Sequence, residues 1–289
     1  MRSRGTLLVG LTAVVLIATA GAAQGAVTIG NNLTTMEADN MPGCGIPCTV
    51  TNLTLPGSSL APGGLTSPVN GTVSSWRLRA NTAPNVRLRI LRPGGGNTFT
   101  GAGTSGPAGF AGPGISGPIT TSLPIQTGDS IGLDSPDDNL IYGANLLGGA
   151  AFWNMPVLAD GSTPRPPNGT GPMVEVLVQA TVEPTSTLGL SAQPVLNKRK
   201  GTATLTISVP NPGQLGFSGT GINIAESAAV KTVTAPGPVK FLIRATGKKL
   251  KKLKKKGKVG VTATFTFTPR GGAASTQSTS LKLRKKLKK

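Results

Sequence analysis

Positively charged residues at regular spacing are the feature of this sequence that most clearly points to chemistry. In the stretch WRLRANTAPNVRLRI, arginines alternate with apolar residues, which predicts two strands of a hairpin joined by a turn at NTAPN. The arginines would share one face of the hairpin, a candidate anion face of Arg77, Arg79, Arg87 and Arg89. Like charges on one face destabilise a hairpin unless acids or an anion balance them. We favour pairing with Glu175 or with the carboxylates of residues 129–138, and a carboxylate or phosphate ligand is the alternative.

A second basic cluster, GKKLKKLKKKGKV at residues 247–259, contains eight lysines. Leu250 and Leu253 are three positions apart, so they would share one side of a helical turn, and Leu253 would close one end of a core. The lysines would point outward and, with LKLRKKLKK at residues 281–289, form a patch that binds polyanions by releasing counterions. The candidate polyanion contacts are Lys248, Lys249, Lys251, Lys252, Lys254, Lys255, Lys256, Lys258, Lys285 and Lys286.

Two other partners for these lysines are less consistent with the sequence. A helix that inserts into a membrane surface normally carries aromatic anchors, and this segment has none. A site for single-stranded nucleic acid normally places aromatic side chains among its basic residues, and these are missing as well.

The acidic residues do not form a recognisable catalytic or metal-binding set. The sequence contains no histidine, which excludes Ser-His-Asp and Cys-His catalysis and any metal site that needs histidine. The segment DSPDDN at residues 134–139 is rich in carboxylates, but it lacks the ligand spacing and central glycine of a calcium loop. We therefore predict no catalytic residues, no bound metal and no cofactor.

The N-terminus has the layout of a secretory signal peptide. Arg2 and Arg4 precede an apolar run over residues 7–18, and small residues at positions 22–26 offer cleavage sites. The apolar run is shorter than a membrane-spanning helix requires. We therefore expect residues 1–25 to be removed and the mature protein to have no membrane span.

The only two cysteines, Cys44 and Cys48, lie close together in GCGIPCT. Export favours a disulfide between them. Three residues separate them, whereas a thioredoxin-type redox motif has two, so we predict a structural role for this bond.

Charge divides the remaining chain near residue 184. Residues 26–184 contain six arginines, no lysine and nine acids, whereas residues 185–289 contain 21 basic residues and one acid, Glu226. Short alternating runs such as TATLTISV, separated by glycine and proline turns, predict an all-β protein without a helix of ten residues. The predicted domains are a jelly-roll-like β-sandwich over residues 26–184 and a basic Ig-like β-sandwich over residues 185–289, and the glycine-rich residues 94–118 would form a loop.

Particular stretches also resemble known sequences. GTATLTISVPNPGQLGFSGTGI, followed by PGPVKFLIRATGKKLKKLKKKGKVGVTATFTFTPRGG, resembles the lysine-rich Ig-like C-terminal domain of secreted proteins of unknown function from high-GC Gram-positive bacteria. WRLRANTAPNVRLRILRPGGGNTFTGAGTS and LPIQTGDSIGLDSP resemble the jelly-roll-like N-terminal region of the same proteins. The resemblance implies a fold and an extracellular location, and it carries no activity.

These observations predict a non-catalytic protein, secreted or cell-wall associated, whose basic C-terminal domain associates with an anionic cell-surface or extracellular polymer. No specific nucleic-acid partner is expected. A carbohydrate-binding module is the alternative, with Trp153 or Tyr142 as the sugar contact, although aromatic residues make up only 3% of the chain. A hydrolase that uses only carboxylates is a further and less favoured alternative.

Overall fold

A computed structural model describes residues 26–34, 39–41, 46–135, 141–143, 147–191, 193–224 and 230–287. All the paired strands in these ranges run antiparallel, apart from one isolated parallel bridge, and the sheets are open. This confirms the predicted all-β fold class, in which a jelly-roll-like sandwich is followed by an Ig-like sandwich. The strands on either side of Pro184 pair only with strands of their own side within the described residues.

The N-terminal part, residues 26–184, is built around one long strand. A single-turn 3-10 helix is present at Gly57–Ser59. The strands described here are β1 (Val27–Gly30), β2 (Asp39–Met41), β3 (Cys48–Thr54), β4 (Gly71–Gly95), β5 (Thr98–Thr104), β6 (Ala108–Ile125), β7 (Ser130–Ser135), β8 (Ile141–Gly143), β9 (Ala150–Asn154), β10 (Gly169–Pro172) and β11 (Val178–Pro184).

Strand β4 belongs to both layers of the N-terminal part. Its first half pairs with β11 and β6, and its second half pairs with β7 and β5. The strand order is β1-β11-β4-β7-β3-β9-β10, while β2 and β8 form a separate pair. Apolar side chains from both halves of β4, among them Trp76 and Leu88, are fully buried in one core.

The predicted hairpin turn at residues 81–85 is wrong, because β4 continues through these residues. Pro84 is tolerated there for two reasons. The pairing of β4 with β6 shifts register between Ala83 and Val86. Among the described residues, no second strand pairs with β4 between Leu78, where pairing with β11 ends, and Arg87, where pairing with β7 begins.

The glycine-rich residues 94–118 are also not the predicted loop. Most of them form β5 and the start of β6, which return antiparallel along β4. Repeated register shifts along β6 accommodate its glycines, and Gly114 and Gly117 take positive φ values. Composition favours a loop here, but pairing with a long neighbouring strand overrides it.

The C-terminal sandwich, residues 185–287, contains two facing sheets. Its elements are β12 (Gly189–Leu190), β13 (Val195–Asn197), β14 (Thr202–Val209), β15 (Gly213–Thr220), β16 (Ile222–Ile224), β17 (Val230–Val233), β18 (Gly237–Ala245), α1 (Gly247–Lys256), β19 (Lys258–Pro269) and β20 (Ser275–Arg284). One sheet has the order β12-β14-β18-β16, with β13 also paired to β14, and the other has the order β17-β15-β19-β20. This division matches the ABED and CFG sheets of an Ig-like domain, with the first strand divided into β12 and β13, which both pair with β14, and with one added strand, β17.

The apolar residues of the alternating runs in this sandwich face inward, as the period of two predicts. Alternate apolar residues of four strands form its core: Ala203, Leu205, Ile207 and Val209; Val239, Phe241, Ile243 and Ala245; Val259, Val261, Ala263, Phe265 and Phe267; Leu281 and Leu283. Leu253 of α1 closes one end of this core with only 1% of its surface exposed, as predicted, and Leu250 packs beside it.

Helix α1 itself corrects the expectation that the chain contains no ten-residue helix. Its apolar stripe is only two leucines wide, so periodicity gives a weak signal. Lysine and leucine are nevertheless good helix formers. The helix ends at Gly257, which has a φ of 67° and donates its N–H to the carbonyl oxygen of Leu253 at 2.9 Å.

A pair of asparagines joins the N-terminal part to the C-terminal sandwich. The side chain of Asn211 is fully buried, and its Oδ1 accepts the N–H of Asn70 at 2.7 Å. Its Nδ2 donates to the carbonyl oxygens of Asn70 at 2.9 Å and Thr185 at 2.8 Å. Asn70 in turn donates from Nδ2 to the carbonyl oxygen of Pro210 at 2.8 Å. This junction lies at the end of the sandwich opposite α1.

Candidate functional site

A cleft lined almost entirely by basic side chains lies at the α1 end of the C-terminal sandwich. It has a volume of about 370 Å³. We call it the basic cleft, and its lining is Lys198, Lys256, Gly257, Lys258, Lys282, Arg284, Lys285 and Lys286.

Three separate chain segments converge to form the basic cleft. Pairing of β19 with β20 sets Lys258 directly opposite Arg284. Beyond β20, the N–H of Lys285 donates to the carbonyl oxygen of Gly257 at 2.8 Å, which holds this segment against the end of α1. The N–H of Lys286 donates to the carbonyl oxygen of Lys198 at 2.7 Å, which brings in the turn before β14.

Each segment positions its cations by ordinary strand and turn geometry. On β20, Leu281 and Leu283 point into the core, so Lys282 and Arg284 point outward. Gly257 is suited to the junction of α1 and β19 because its positive φ allows a sharp turn at a position where a Cβ would lie 3.0 Å from the carbonyl oxygen of Lys285.

The electrostatics of the basic cleft are one-sided. None of the described residues that line it is acidic. Glu226, the only acid after Pro184 in the sequence, lies outside the described residues. Like charges that face each other across two strands, as Lys258 and Arg284 do, destabilise the pair. An anion in the cleft would remove part of this repulsion.

The cleft includes only some of the predicted polyanion contacts. Lys256, Lys258, Lys285 and Lys286 line it. The other predicted lysines lie on α1 outside its lining, and all but the half-buried Lys249 are exposed: Lys248, Lys249, Lys251, Lys252, Lys254 and Lys255. Lys249 donates from Nζ to the carbonyl oxygen of Gly260 at 2.9 Å.

Three cleft residues were missed as individual contacts. The alternation of LKLRKK signals that Lys282 and Arg284 face outward, and this alternation could have added them. For Lys198, no alternating pattern in the neighbouring sequence indicates a place in the cleft. Lys198 reaches the cleft through a backbone contact with Lys286, 88 positions away in the chain, and no local pattern reports that contact.

The candidate anion face of Arg77, Arg79, Arg87 and Arg89 does not form, because β4 is one continuous strand rather than a hairpin. Arg79 and Arg87 are eight residues apart along β4, which is roughly 27 Å at the rise of an extended strand. Arg77 and Arg87 are exposed, and Arg79 is half-buried with its Nε donating to the carbonyl oxygen of Leu33 at 3.1 Å. The structure therefore distributes these four residues over different surroundings.

Arg89 is buried between two carboxylates. Its Nε donates to Oδ2 of Asp134 at 2.9 Å, its Nη2 pairs with the same carboxylate, and its Nη1 pairs with Asp160. Thr49 donates from Oγ1 to Oδ1 of Asp134 at 2.6 Å, and Thr104 donates to Asp160 at 3.1 Å. Asp134 and Asp160 line a second cavity, of about 460 Å³. Both carboxylates in it are thus already paired with protein groups.

Asp129 pairs with a different arginine from the four proposed. Arg92 donates from Nε to Oδ1 at 3.0 Å and from Nη2 to Oδ2 at 2.9 Å. Because Arg92 donates these hydrogen bonds to the carboxylate of Asp129, its pKa is raised above its usual value. The expected partner Glu175 is also placed differently, since it is fully buried and accepts from Nδ2 of Asn31 at 2.8 Å.

The aromatic side chains that could contact a sugar differ in their surroundings. Trp76 is fully buried. The half-buried indole of Trp153 lies against Gly169 of β10, where a Cβ would come within 2.3 Å of the ring. Tyr142 lies in β8, and its side chain is outside the described part of the chain.

Other predicted features fall partly outside the described residues. Residues 1–25, Cys44, Asp137 and Asp138 lie outside them. Cys48 begins β3 and is buried, and the Cys44–Cys48 disulfide stays a prediction. Where the structure describes the chain, no group of three or more His, Cys, Asp or Glu residues is arranged to hold a metal ion. In the same ranges, no helix has the length and apolar character needed to cross a membrane.

A scan against protein-family models finds no match for this chain, and a search of curated proteins finds none either.

Proposed function

We propose that this protein is non-catalytic and associates with an anionic cell-surface or extracellular polymer through the basic cleft and the exposed lysines of α1. The single observation that carries this proposal is the lining of the cleft: its described residues supply seven basic side chains from three chain segments and no acid. Its place would be outside the cell, secreted or associated with the cell wall. The signal-peptide layout and the resemblance to secreted proteins of high-GC Gram-positive bacteria support that location.

Polymer binding fits the openness and the charge density of this surface. A surface of clustered cations gathers small counterions, and a polyanion that displaces them gains the free energy of their release. Lysine acts as a compact point charge without the fixed fork of arginine, so six lysines and one arginine favour charge attraction over shape-specific recognition of one small anion.

The position of the cleft also suits attachment. It lies at one end of the C-terminal sandwich, and the Asn70–Asn211 junction lies at the other, twelve residues of β19 away. A strand of this length spans roughly 40 Å. A bound polymer would therefore leave the N-terminal part, whose net charge is −3, away from the anionic surface.

The test is a salt series of binding to polygalacturonate, a carboxylated polysaccharide. The cleft variant changes Lys198, Lys282 and Arg284 to glutamine. Its matched control changes Lys231, Lys240 and Arg270 to glutamine, which removes the same number of lysines and arginines from exposed positions elsewhere on the sandwich.

We expect the cleft variant to bind more weakly at low salt and to show a shallower dependence of affinity on salt, because fewer counterions are released. The control variant should stay close to the wild type. Equal losses in the two variants, or no binding of wild-type protein at low salt, would contradict the proposal.

A further inference from the structure

The basic cleft continues directly into a flat face of hydroxyl groups. The sheet β17-β15-β19-β20 buries one face in the core and leaves the other outward. On β19, the outward positions are Thr262, Thr264, Thr266 and Thr268, followed toward the cleft by Gly260 and Lys258. We call these threonines and their outward neighbours on β15 and β20 the hydroxyl face.

Pairing registers place the hydroxyls in rows across three strands. Thr264 lies between Ser218 of β15 and Ser278 of β20, and Thr262 lies between Thr220 and Ser280. Thr266 lies opposite Thr276. Among the residues that the structure describes, no acidic, basic or aromatic side chain interrupts these rows.

The same rows lead into the cleft without a break. After Thr262–Ser280, the next outward pair is Gly260–Lys282, and the next is Lys258–Arg284. Lys282, Arg284 and Lys258 all line the basic cleft. A chain that lies along β19 and β20 would therefore contact hydroxyl groups first and cations at the end.

Hydrogen bonds within the hydroxyl face leave donors available to a ligand. The oxygens of Thr264 and Ser278 are 2.8 Å apart, and those of Thr266 and Thr276 are 2.9 Å apart. A hydroxyl has one donor, so each pair uses one donor between its members and keeps the second for a partner outside. Each pair also keeps lone pairs that can accept from a ligand.

The outward face of the other sheet shows that this arrangement is not a general property of the sandwich. Threonines also occur there, at Thr204 and Thr206 of β14. The neighbouring strand β18 sets Lys240 directly opposite Thr206 and Arg244 opposite Thr202. Charges therefore lie among the hydroxyls of that sheet, whereas the hydroxyl face keeps its charges at one end.

We infer that the hydroxyl face and the basic cleft form one continuous binding surface, and that its ligand is an anionic polysaccharide. Such a chain carries both components that the surface matches, namely hydroxyls that exchange hydrogen bonds with serine and threonine and anionic groups that pair with the cleft. This inference rests on the proposed function and adds that the polymer must carry hydroxyl groups.

The test compares two polymers that carry one carboxylate per unit and differ in hydroxyl groups, polygalacturonate and poly-L-glutamate. The test variant is Thr264→Val with Thr266→Val, which removes two hydroxyls and keeps β-branched side chains. The matched control is Thr204→Val with Thr206→Val on the other sheet. All four threonines are half-buried.

We expect the test variant to bind polygalacturonate at least about threefold more weakly at fixed salt, the effect of losing one or two net hydrogen bonds. Its binding to poly-L-glutamate and its salt dependence should not change, and the control variant should match the wild type with both polymers. If Thr264→Val with Thr266→Val fails to fold, Thr276→Val with Ser278→Ala on the edge strand β20 takes its place.

Two outcomes would overturn the inference: unchanged affinity of the test variant for polygalacturonate, or equal losses with the two polymers. Either result leaves the proposed function standing if the cleft variant still loses affinity. Failure of wild-type protein to bind either polymer at low salt would instead contradict the proposed function.

Discussion

Arg87 and Arg89 lie two positions apart on β4, yet they meet different surroundings. Arg87 is exposed, whereas Arg89 is 5% exposed and pairs with Asp134 and Asp160. The pairing ties β4 to β7 and to the segment that contains Asp160. A buried cation held in this way is structural, and its removal leaves carboxylates without a partner.

We predict that Arg89→Gln lowers the free energy of unfolding by about 3–5 kcal/mol, because Asp134 then stays buried without its counter-charge. Arg87→Gln is the matched control and should change that free energy by no more than about 0.5 kcal/mol. Urea denaturation followed by tryptophan fluorescence measures both. Similar small effects of the two substitutions would show that Arg89 does not hold these strands together.

At the scale of single elements, α1 combines a structural role with a role in binding. Its buried side is Leu253, with Leu250 half-buried beside it, and its remaining surface is lysine. Lys254, Lys255 and Lys256 lie in the last turn, where positive charge interacts favourably with the helix dipole. The helix therefore presents cations to solvent while one leucine anchors it to the core.

We predict that Leu253→Ala lowers the free energy of unfolding by about 2–5 kcal/mol through the cavity that it leaves at the end of the core. Changing the exposed residues Lys251, Lys252, Lys254 and Lys255 to glutamine should leave this free energy nearly unchanged. Chemical denaturation of the Leu253→Ala variant and of the variant with four substituted lysines measures the free energy of unfolding of each. A loss of less than about 0.5 kcal/mol for Leu253→Ala would mean that α1 is not anchored as described.

The sequence predicts a structural feature well when the residues that form it are close together in the chain. In the C-terminal sandwich, period-two alternation correctly identified the inward residues, for example Leu205 and Phe265, because one face of each strand is buried. The predicted burial of Leu253 followed from local spacing as well. These features depend on side chains that are close together in the chain.

The features that could not be predicted from the sequence depend on contacts between segments that are far apart in the chain. A hairpin turn at residues 81–85 was a reasonable local prediction, but the strand continues because β6 pairs with β4 from Gly71 to Val86, across these residues. The convergence of Lys198 with Lys286 at the cleft, and the burial of Arg89 beside Asp160, likewise need the folded arrangement of distant segments. Four of the ten predicted lysine contacts line the cleft, since clustering in sequence identifies a basic surface without giving its shape.

At the scale of the whole molecule, the Asn70–Asn211 junction sets the N-terminal part against the end of the sandwich opposite the cleft. Asn211 uses both of its Nδ2 donors and its Oδ1 acceptor at this junction. Whether residues 26–184 and 185–289 are separate folding units stays a prediction, and the junction offers a way to test it.

We predict that Asn211→Ala lowers the free energy of unfolding by about 1–3 kcal/mol and separates the unfolding of the two parts, because backbone groups of Asn70 and Thr185 lose their buried partner. Asn223→Ala, on the exposed side of β16, is the control and should preserve the wild-type transition. Differential scanning calorimetry distinguishes separate unfolding of the two parts from the wild-type transition. A single unshifted transition in Asn211→Ala would show that the asparagine pair does not couple the two parts.

Binding of an anionic polymer at the basic cleft is tested most directly by lysine acetylation footprinting with mass spectrometry, with and without polygalacturonate at low salt. We predict protection of the cleft lysines Lys198, Lys258 and Lys282 and of the exposed lysines of α1, with unchanged labelling of Lys231 and Lys240. Both of the latter are exposed on the same sandwich, and Lys240 lies roughly 20 Å from the start of α1 along β18. Equal protection of all lysines, or protection of none, would contradict an anionic polymer site at the basic cleft.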